Sequence, residues 1–166
     1  MRTIKAKPVS YGAKRDNKSV RYIVIHYTGV KGDTAVNEGT YFAKSNKIPA
    51  GAHFFIDRKG VIVKSIPINR VAWSVGGSKY PNCKQTGGGK YHGTITNYNS
   101  VSIELCDIVD QMPSEEQIAA LKRCIAYIRK HCPYIKNIVR HFDVTGKSCP
   151  SIMVKNDVWK KFVSQL

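Results

Sequence analysis

Acidic residues are scarce in this 166-residue chain: 11 Asp and Glu stand against 27 Lys and Arg, for a formal charge of +16. So large an excess spreads a positive field over much of the surface and points to an anionic partner. Nucleic acid, anionic lipid and the phosphate-rich polymers of a bacterial wall all qualify on charge alone, with solubility and non-specific adhesion as the plain alternative. Long apolar runs are missing too. No stretch approaches the ~18 residues of a membrane-spanning helix, so stable membrane insertion is not expected. The N-terminus MRTIKAKPVSYGAKRDNKSV lacks an apolar core of about 7 to 15 residues, so synthesis in the cytoplasm without a signal peptide is expected. Cysteine is sparse and odd in number: Cys83, Cys106, Cys124, Cys132 and Cys149 include no CxxC pair. That argues against a full disulfide framework and against a structural zinc knuckle. A reducing compartment fits, with the four cysteines other than Cys149 read as free buried thiols. Repeats, low-complexity tracts and any recognised RNA or DNA signature are lacking. Basic residues are scattered from Arg2 to Lys161, so no nucleic-acid partner is expected.

What is present suffices for one core. At 42% hydrophobic residues the chain is long enough for a single domain over 1–166, with a basic surface arm at 1–19 and the core at 20–166. RYIVIHYTG is a nearly continuous β-branched run, the signature of a strand covered on both faces, and His26 stands near its end. Asp33 is a plausible N-cap for a helix that ends before Pro49. AHFFIDRKGVIVKSI is two apolar runs joined at Arg58-Lys59-Gly60, a hairpin signal. Six of the 13 glycines (Gly76, Gly77, Gly87, Gly88, Gly89 and Gly93) fall between residues 74 and 99, marking a long irregular loop of the kind that carries function. SVSIELC follows as a strand with Val101, Ile103 and Leu105 on one face and Ser102, Glu104 and Cys106 on the other. PSEEQIAALKRCIAYIRKHC is a helix, with Ser114 and Gln117 as a capping box and Ile118, Leu121, Ile125 and Ile128 as its apolar stripe. NIVRHF reads as a short strand. VKNDVWKKFVSQL closes the chain as an amphipathic helix with Val158, Trp159 and Phe162 inward. Strands and helices are interleaved, so the class is α/β with a central mixed sheet flanked by helices.

Three residues combine into candidate chemistry. Catalytic zinc takes three ligands from His, Cys or carboxylate and keeps one position open. His26 and His141 sit at predicted strand ends, and neighbouring strands about 4.8 Å apart would let them share an ion. Cys149 returns eight residues after His141 across a turn. Each alone has an ordinary reading as a hydrogen-bonded histidine or a small buried hydrophobe.

Together, VIHYTG and RHFDVTGKSCP resemble the paired signatures of the zinc-dependent N-acetylmuramoyl-L-alanine amidases, a family that includes phage endolysins and peptidoglycan recognition proteins. The likeness runs from about Val20 to the C-terminal helix and includes AHFFIDRKG, VAWSVG and SVSIEL in order. It implies the recognition-protein-like amidase fold, with His26, His141 and Cys149 as ligands of one Zn2+. Lys147 then matches the lysine that faces the oxyanion of the reaction, and Glu104 the strand glutamate that accepts a proton. The implied activity is hydrolysis of the amide between N-acetylmuramic acid and L-alanine in bacterial peptidoglycan. The expected setting is an endolysin acting at the wall after holin-mediated release, as a monomer drawn there by anionic wall polymers. Ala52 replaces a tyrosine that some relatives carry before His53, which puts more weight on Glu104. Ser74 replaces a frequent histidine after Trp73. His53 and Trp73 remain candidates for the substrate groove, His53 with a hydrogen-bonded place in the sheet as its alternative. Asp143 is expected to order its turn through an Asx-type bond. The alternative function is a non-catalytic peptidoglycan-binding module. A thiol protease using Cys149 and His141 is disfavoured by Pro150 and Lys147 around the cysteine.

Overall fold

The computed structural model describes residues 1–82 and 86–166, so Cys83 lies outside the described residues. Six strands form the central sheet: β1 (Arg2–Thr3), β3 (Tyr22–Tyr27), β4 (Phe54–Ile56), β5 (Ile62–Lys64), β7 (Ser100–Leu105) and β8 (Asn137–Arg140). Their order is β1-β5-β4-β7-β3-β8. The β4–β5 hairpin is antiparallel and the other pairs are parallel, which makes the sheet mixed, as expected. β2 (Tyr11–Lys14) and β6 (Arg70–Ala72) form a separate antiparallel pair. The helices that cover the sheet are α1 (Ala35–Lys44), α2 (Glu115–His131), α3 (His141–Thr145) and α4 (Asn156–Val163).

Strand alternation divides the molecule into two faces. Ile23 and Ile25 of β3, Phe54 and Ile56 of β4, and Val101, Ile103 and Leu105 of β7 point to one side. There they meet Leu121, Cys124, Ile125 and Ile128 of α2 and Phe162 of α4 in the main core. Each such side chain contributes roughly 1.5–3 kcal/mol by leaving water, so burial rather than propensity fixes these helices. The other face is thinner. Phe55, Val63 and Cys106 lie under α1 with Ala35 and Ala52, while Val24 and Val139 lie under Val75, Ile95 and Val144. The gap between these two covers, at the carboxyl ends of β3 and β7, is where an open α/β sheet offers a site.

The best helix starts as its sequence predicts, because Gln117 N–H donates to Ser114 Oγ at 3.1 Å. The reciprocal half of the capping box is not made. Gln117 is fully buried, and its amide donates to Ile56 O (2.8 Å) and Cys106 O (2.9 Å) instead. Buried carbonyls at the ends of β4 and β7 need a donor, and this requirement outweighs the local cap.

Three further expectations need correction. The arm at 1–19 is part of the structure: β1 extends the main sheet, β2 pairs with β6, and Ser10 is buried. Arg15 Nε donates to Ile68 O (3.1 Å) and its Nη1 to Asn97 O (2.8 Å) and Tyr98 O (2.9 Å). The arm is ordered by backbone pairing and a half-buried arginine, which leave no apolar period to read. The cap of α1 is Thr34, whose Oγ1 accepts Asn37 N–H at 3.1 Å, while Asp33 Oδ1 accepts Thr34 N–H at 2.7 Å. The strand expected through NIVRHF stops at Arg140, and His141 opens α3. The hairpin does turn at Gly60, with φ +73°, and an added Cβ there would lie 2.9 Å from Glu116 O. Of the cysteines expected to be free and buried, Cys106, Cys124 and Cys132 are so.

Candidate metal centre and active site

One rung of the sheet brings the candidate residues together. His26 on β3 is in register with Glu104 on β7, which in turn is in register with Phe55 on β4. Ile25 pairs with Arg140, so the next position along places His141 beside His26. Parallel neighbours in register present their side chains to the same face, here the thin one. His26 and His141 have ring centroids 4.6 Å apart. Cys149 comes in from the turn after α3, its Sγ 3.8 Å from His26 Nδ1. Phe142 N–H donates to Cys149 O at 2.9 Å, closing the turn that carries both later residues.

His26, His141 and Cys149 are 2%, 7% and 3% exposed, and their ligand-type atoms all lie within 4.8 Å of one another. His26 Nε2 and His141 Nδ1 are buried without a hydrogen-bond partner among the described residues. Buried polar atoms are almost always satisfied, so an unpartnered ring nitrogen on each histidine, with His26 Nδ1 turned toward Cys149 Sγ, is what a group built to hold an electrophile leaves. Burial first, and then each other's charge and that of Lys147, pushes His26 well below the ordinary histidine range. Burial and Lys147 bring His141 down to about 4. Both rings are thus neutral at pH 7, the form that binds a metal ion. These three residues could hold one.

Glu104 lies beside this group with Oε1 3.9 Å from His26 Nδ1 and Oε2 buried without a partner among the described residues. Burial raises its carboxyl to about 7, with Lys147 pulling it down and Asp33 pushing it up. Lys147 is exposed and lines a cavity of about 430 Å³ together with His141, Thr145 and the loop at Ser74–Pro81. Asp143 does order its turn, through a different bond from the one expected. Its carboxylate accepts Arg140 N–H at 2.9 Å and pairs with the Arg140 guanidinium at 2.7 Å, both side chains buried.

The two groove candidates separate. His53 is 1% exposed; Ser102 N–H donates to its Nδ1 (3.1 Å), which leaves Nε2–H to donate to Arg70 O (3.1 Å). Burial and the neighbouring Arg15 lower it to about 3, so it is a neutral strut of the sheet rather than part of a groove. Trp73 is half-buried. Its ring sits over Gly12, where an added Cβ would come within 2.6 Å, and it borders a smaller cavity of about 250 Å³ that shares Ser74, Gly76 and Gly77 with the larger one. Ala52 is 1% exposed and packed with Phe55, so this position offers no group to the site.

Sequence reading overlooked Arg140 and the docking of the glycine-rich loop. Tyr80 N–H donates to Thr145 O (2.8 Å), Gly89 N–H to Phe142 O (2.9 Å) and Tyr91 N–H to Asp143 O (3.0 Å), stitching the loop to α3. The signal for Arg140 was its i,i+3 spacing to Asp143 on either side of His141; the loop's contacts are backbone bonds and leave none.

A mixed α/β sheet with a buried His-His-Cys group and an adjoining carboxylate at its strand ends defines a hydrolase-like metal-site class. The chain belongs to the N-acetylmuramoyl-L-alanine amidase family Amidase_2, whose profile matches residues 16–152. It is 32% identical over 142 residues to the N-acetylmuramoyl-L-alanine amidase CwlL of Bacillus licheniformis, covering 82% of this chain and 38% of that protein. It is 29% identical over 153 residues to the amidase BlyA of Bacillus subtilis strain 168, covering 88% of this chain and 40% of that protein. The chain thus spans about two fifths of the length of the curated relatives it matches. In fold it is similar to the solved structure of PlyL, with TM-score 0.75 and 21% identity over 99% of this chain and 95% of that one. The catalytic domain of XlyA aligns with TM-score 0.71 and 21% identity over 99% of both chains.

Proposed function

We propose that the chain is a zinc-dependent N-acetylmuramoyl-L-alanine amidase, cleaving peptidoglycan between the lactyl group of N-acetylmuramic acid and the L-alanine of the stem peptide. The observation that carries this reading is the buried His26, His141 and Cys149 group with the unpartnered Glu104 carboxylate beside it. Nitrogen and sulfur donors suit zinc and disfavour magnesium or calcium, which prefer oxygen. Three protein ligands leave a position open, as catalytic rather than structural zinc requires. The complete donor set and the names of the curated relatives favour catalysis over the binding-module alternative.

When bound, zinc supplies Lewis acidity to the scissile carbonyl and to a water. The protein's own residues handle the proton and the charge. As the water oxygen bonds to the carbonyl carbon, Glu104 Oε2 takes a proton. As the carbon–nitrogen bond breaks, the same proton passes to the departing alanine nitrogen. A carboxylate placed beside the ligand group, with one oxygen unpartnered among the described residues, can both accept and return that proton. Lys147 keeps a positive charge at the mouth of the site, where negative charge grows on the carbonyl oxygen. With Ala52 in place of a phenol, proton transfer falls to Glu104.

The formal charge of +16 supports attraction to anionic wall polymers, and the endolysin role after holin-mediated release belongs to the same proposal. The deciding experiment combines metal analysis with mass spectrometry of digested wall. One zinc per chain is expected, with free stem peptides bearing an alanine N-terminus. Cys149→Ser or chelation should remove both the metal and the release. Full activity after both treatments would overturn the zinc assignment, and glycan or peptide-bond cleavage would overturn the amidase.

A further inference from the structure

The cavity beside the metal ligands has a charge pattern that cutting the amide does not require. Its volume is about 430 Å³, and its lining joins His141 and Lys147 with Ser78, Lys79 and Tyr80 of the glycine-rich loop. Among the described residues no Asp or Glu lines it, whereas two lysines do, Lys79 and Lys147. The loop is held at the backbone: Tyr80 N–H donates to Thr145 O at 2.8 Å, so Lys79 rides on a segment docked to the helix that begins at His141. Further along the same loop, Gly88 lies so close to α3 that an added Cβ would meet Gly146 Cα and the Phe142 ring at 2.8 Å each. A pair of lysines lining a cavity that His141 also borders suits an anion carried by the substrate close to its reacting bond.

Building on the amidase reading, we propose that this cavity is a carboxylate subsite, in which Lys79 selects stem peptides whose second residue keeps its α-carboxyl group free. That residue is a glutamate joined through its side-chain carboxyl, so its α-carboxyl branches off the chain as either a free acid or an amide. An extended residue spans roughly 3.3–3.6 Å, which puts this group one to two residue lengths from the scissile amide and within reach of a cavity bordered by His141. Lys147 faces both this cavity and the metal ligands, but its duty at the oxyanion is shared by any substrate. Lys79 lines the same cavity without that duty and is the residue left to discriminate.

The test uses two soluble disaccharide-tetrapeptides that differ only in amidation of the second residue, with a third amidated on its third residue. The zinc-loaded protein should favour the free acid by about tenfold or more in kcat/KM, the worth of one charge-assisted hydrogen bond. Lys79→Gln should remove the preference, the acid losing more than the amide, and Lys79→Arg should retain it. Equal cleavage of both substrates, a preference that survives Lys79→Gln, or a preference that follows the third residue would overturn the subsite and leave the amidase intact. Failure of the zinc-loaded protein to cut either substrate or whole wall would overturn the amidase, and the subsite with it.

Discussion

Arg140 and Asp143 form a buried ion pair, Nη2 to Oδ1 at 2.7 Å, at the base of the turn that carries the candidate ligands His141 and Cys149. Asp143 sits two residues after His141 in α3. On the other side, Arg140 Nη1 donates to Met153 O and Val154 O, both at 2.8 Å, and Nη2 to Asn156 Oδ1 at 2.8 Å. The guanidinium therefore spans the segment before His141 and the segment after Cys149, with Phe142 and Trp159 packed over it. Breaking a buried pair by removing one partner costs about 3–5 kcal/mol, because the other charge is left without compensation. Arg140→Met should lower the melting temperature by roughly 6–20 °C in a chain of this size and weaken zinc binding, read by competition with a chromogenic chelator. Arg140→Lys should rescue little, since an ammonium cannot make the same fork of bonds. Unchanged zinc affinity in a folded Arg140→Lys protein would show that the pair does not position the ligands.

In the proposed mechanism the proton transfer rests on Glu104, a role that can be separated from metal binding. Glu104→Gln keeps the shape of the side chain and removes its basicity. Zinc content and melting temperature should stay close to those of the parent protein, while kcat falls by about 10²–10⁴, the usual contribution of a positioned general base. A kcat within a few-fold of the parent would move the proton transfer to another group.

The parts of the candidate site legible in the sequence were those with reactive side chains. His26, Glu104, His141 and Cys149 stand out as reactive types at strand ends or in turns, and alternation along SVSIELC is enough to set Glu104 opposite the core. The register that puts Glu104 against His26 was not legible, because parallel pairing joins strands far apart in sequence. Neither was the burial of His53, whose partners Ser102 and Arg70 come from two other strands. The arm at 1–19 misled for the opposite reason: its order comes from main-chain bonds and Arg15, neither of which writes a hydrophobic period. Gln117 shows a local rule yielding to a tertiary need, as its side chain leaves the cap to satisfy two strand carbonyls.

Near the site, Glu38 on α1 gives the fold a pH dependence of its own. Burial, then a hydrogen bond and the charge of Asp33, raise its carboxyl from 4.5 to about 8. Between those values the folded protein keeps a proton that the unfolded chain gives up. The resulting stability is fully present below about 4.5 and is lost as pH rises through about 8. Partial exposure screens the effect, leaving on the order of 1 kcal/mol. Glu38→Gln retains a donor toward Asp33 without the titration, so melting temperature from pH 5 to pH 8.5 should flatten relative to the parent. Parallel curves for the two proteins would refute this origin.

The excess of 27 basic over 11 acidic residues separates attraction to the wall from chemistry at the site. Long-range attraction between a basic protein and phosphate-bearing polymers acts through solvent. It is cut as the screening length falls from about 10 Å at 0.1 M salt to about 3 Å at 1 M. The reacting groups lie within a few ångströms of one another in a largely buried setting, where salt screens far less. Lysis of whole walls carrying anionic polymers should therefore fall by an order of magnitude or more between about 0.05 and 0.5 M salt. Over the same range, kcat/KM on small soluble muropeptides should change by about twofold or less. Walls stripped of their phosphate polymers should lose most of the salt effect and show slower lysis at low salt. If soluble and insoluble substrates respond to salt in parallel, the charge acts at the catalytic centre and the wall-attraction account fails.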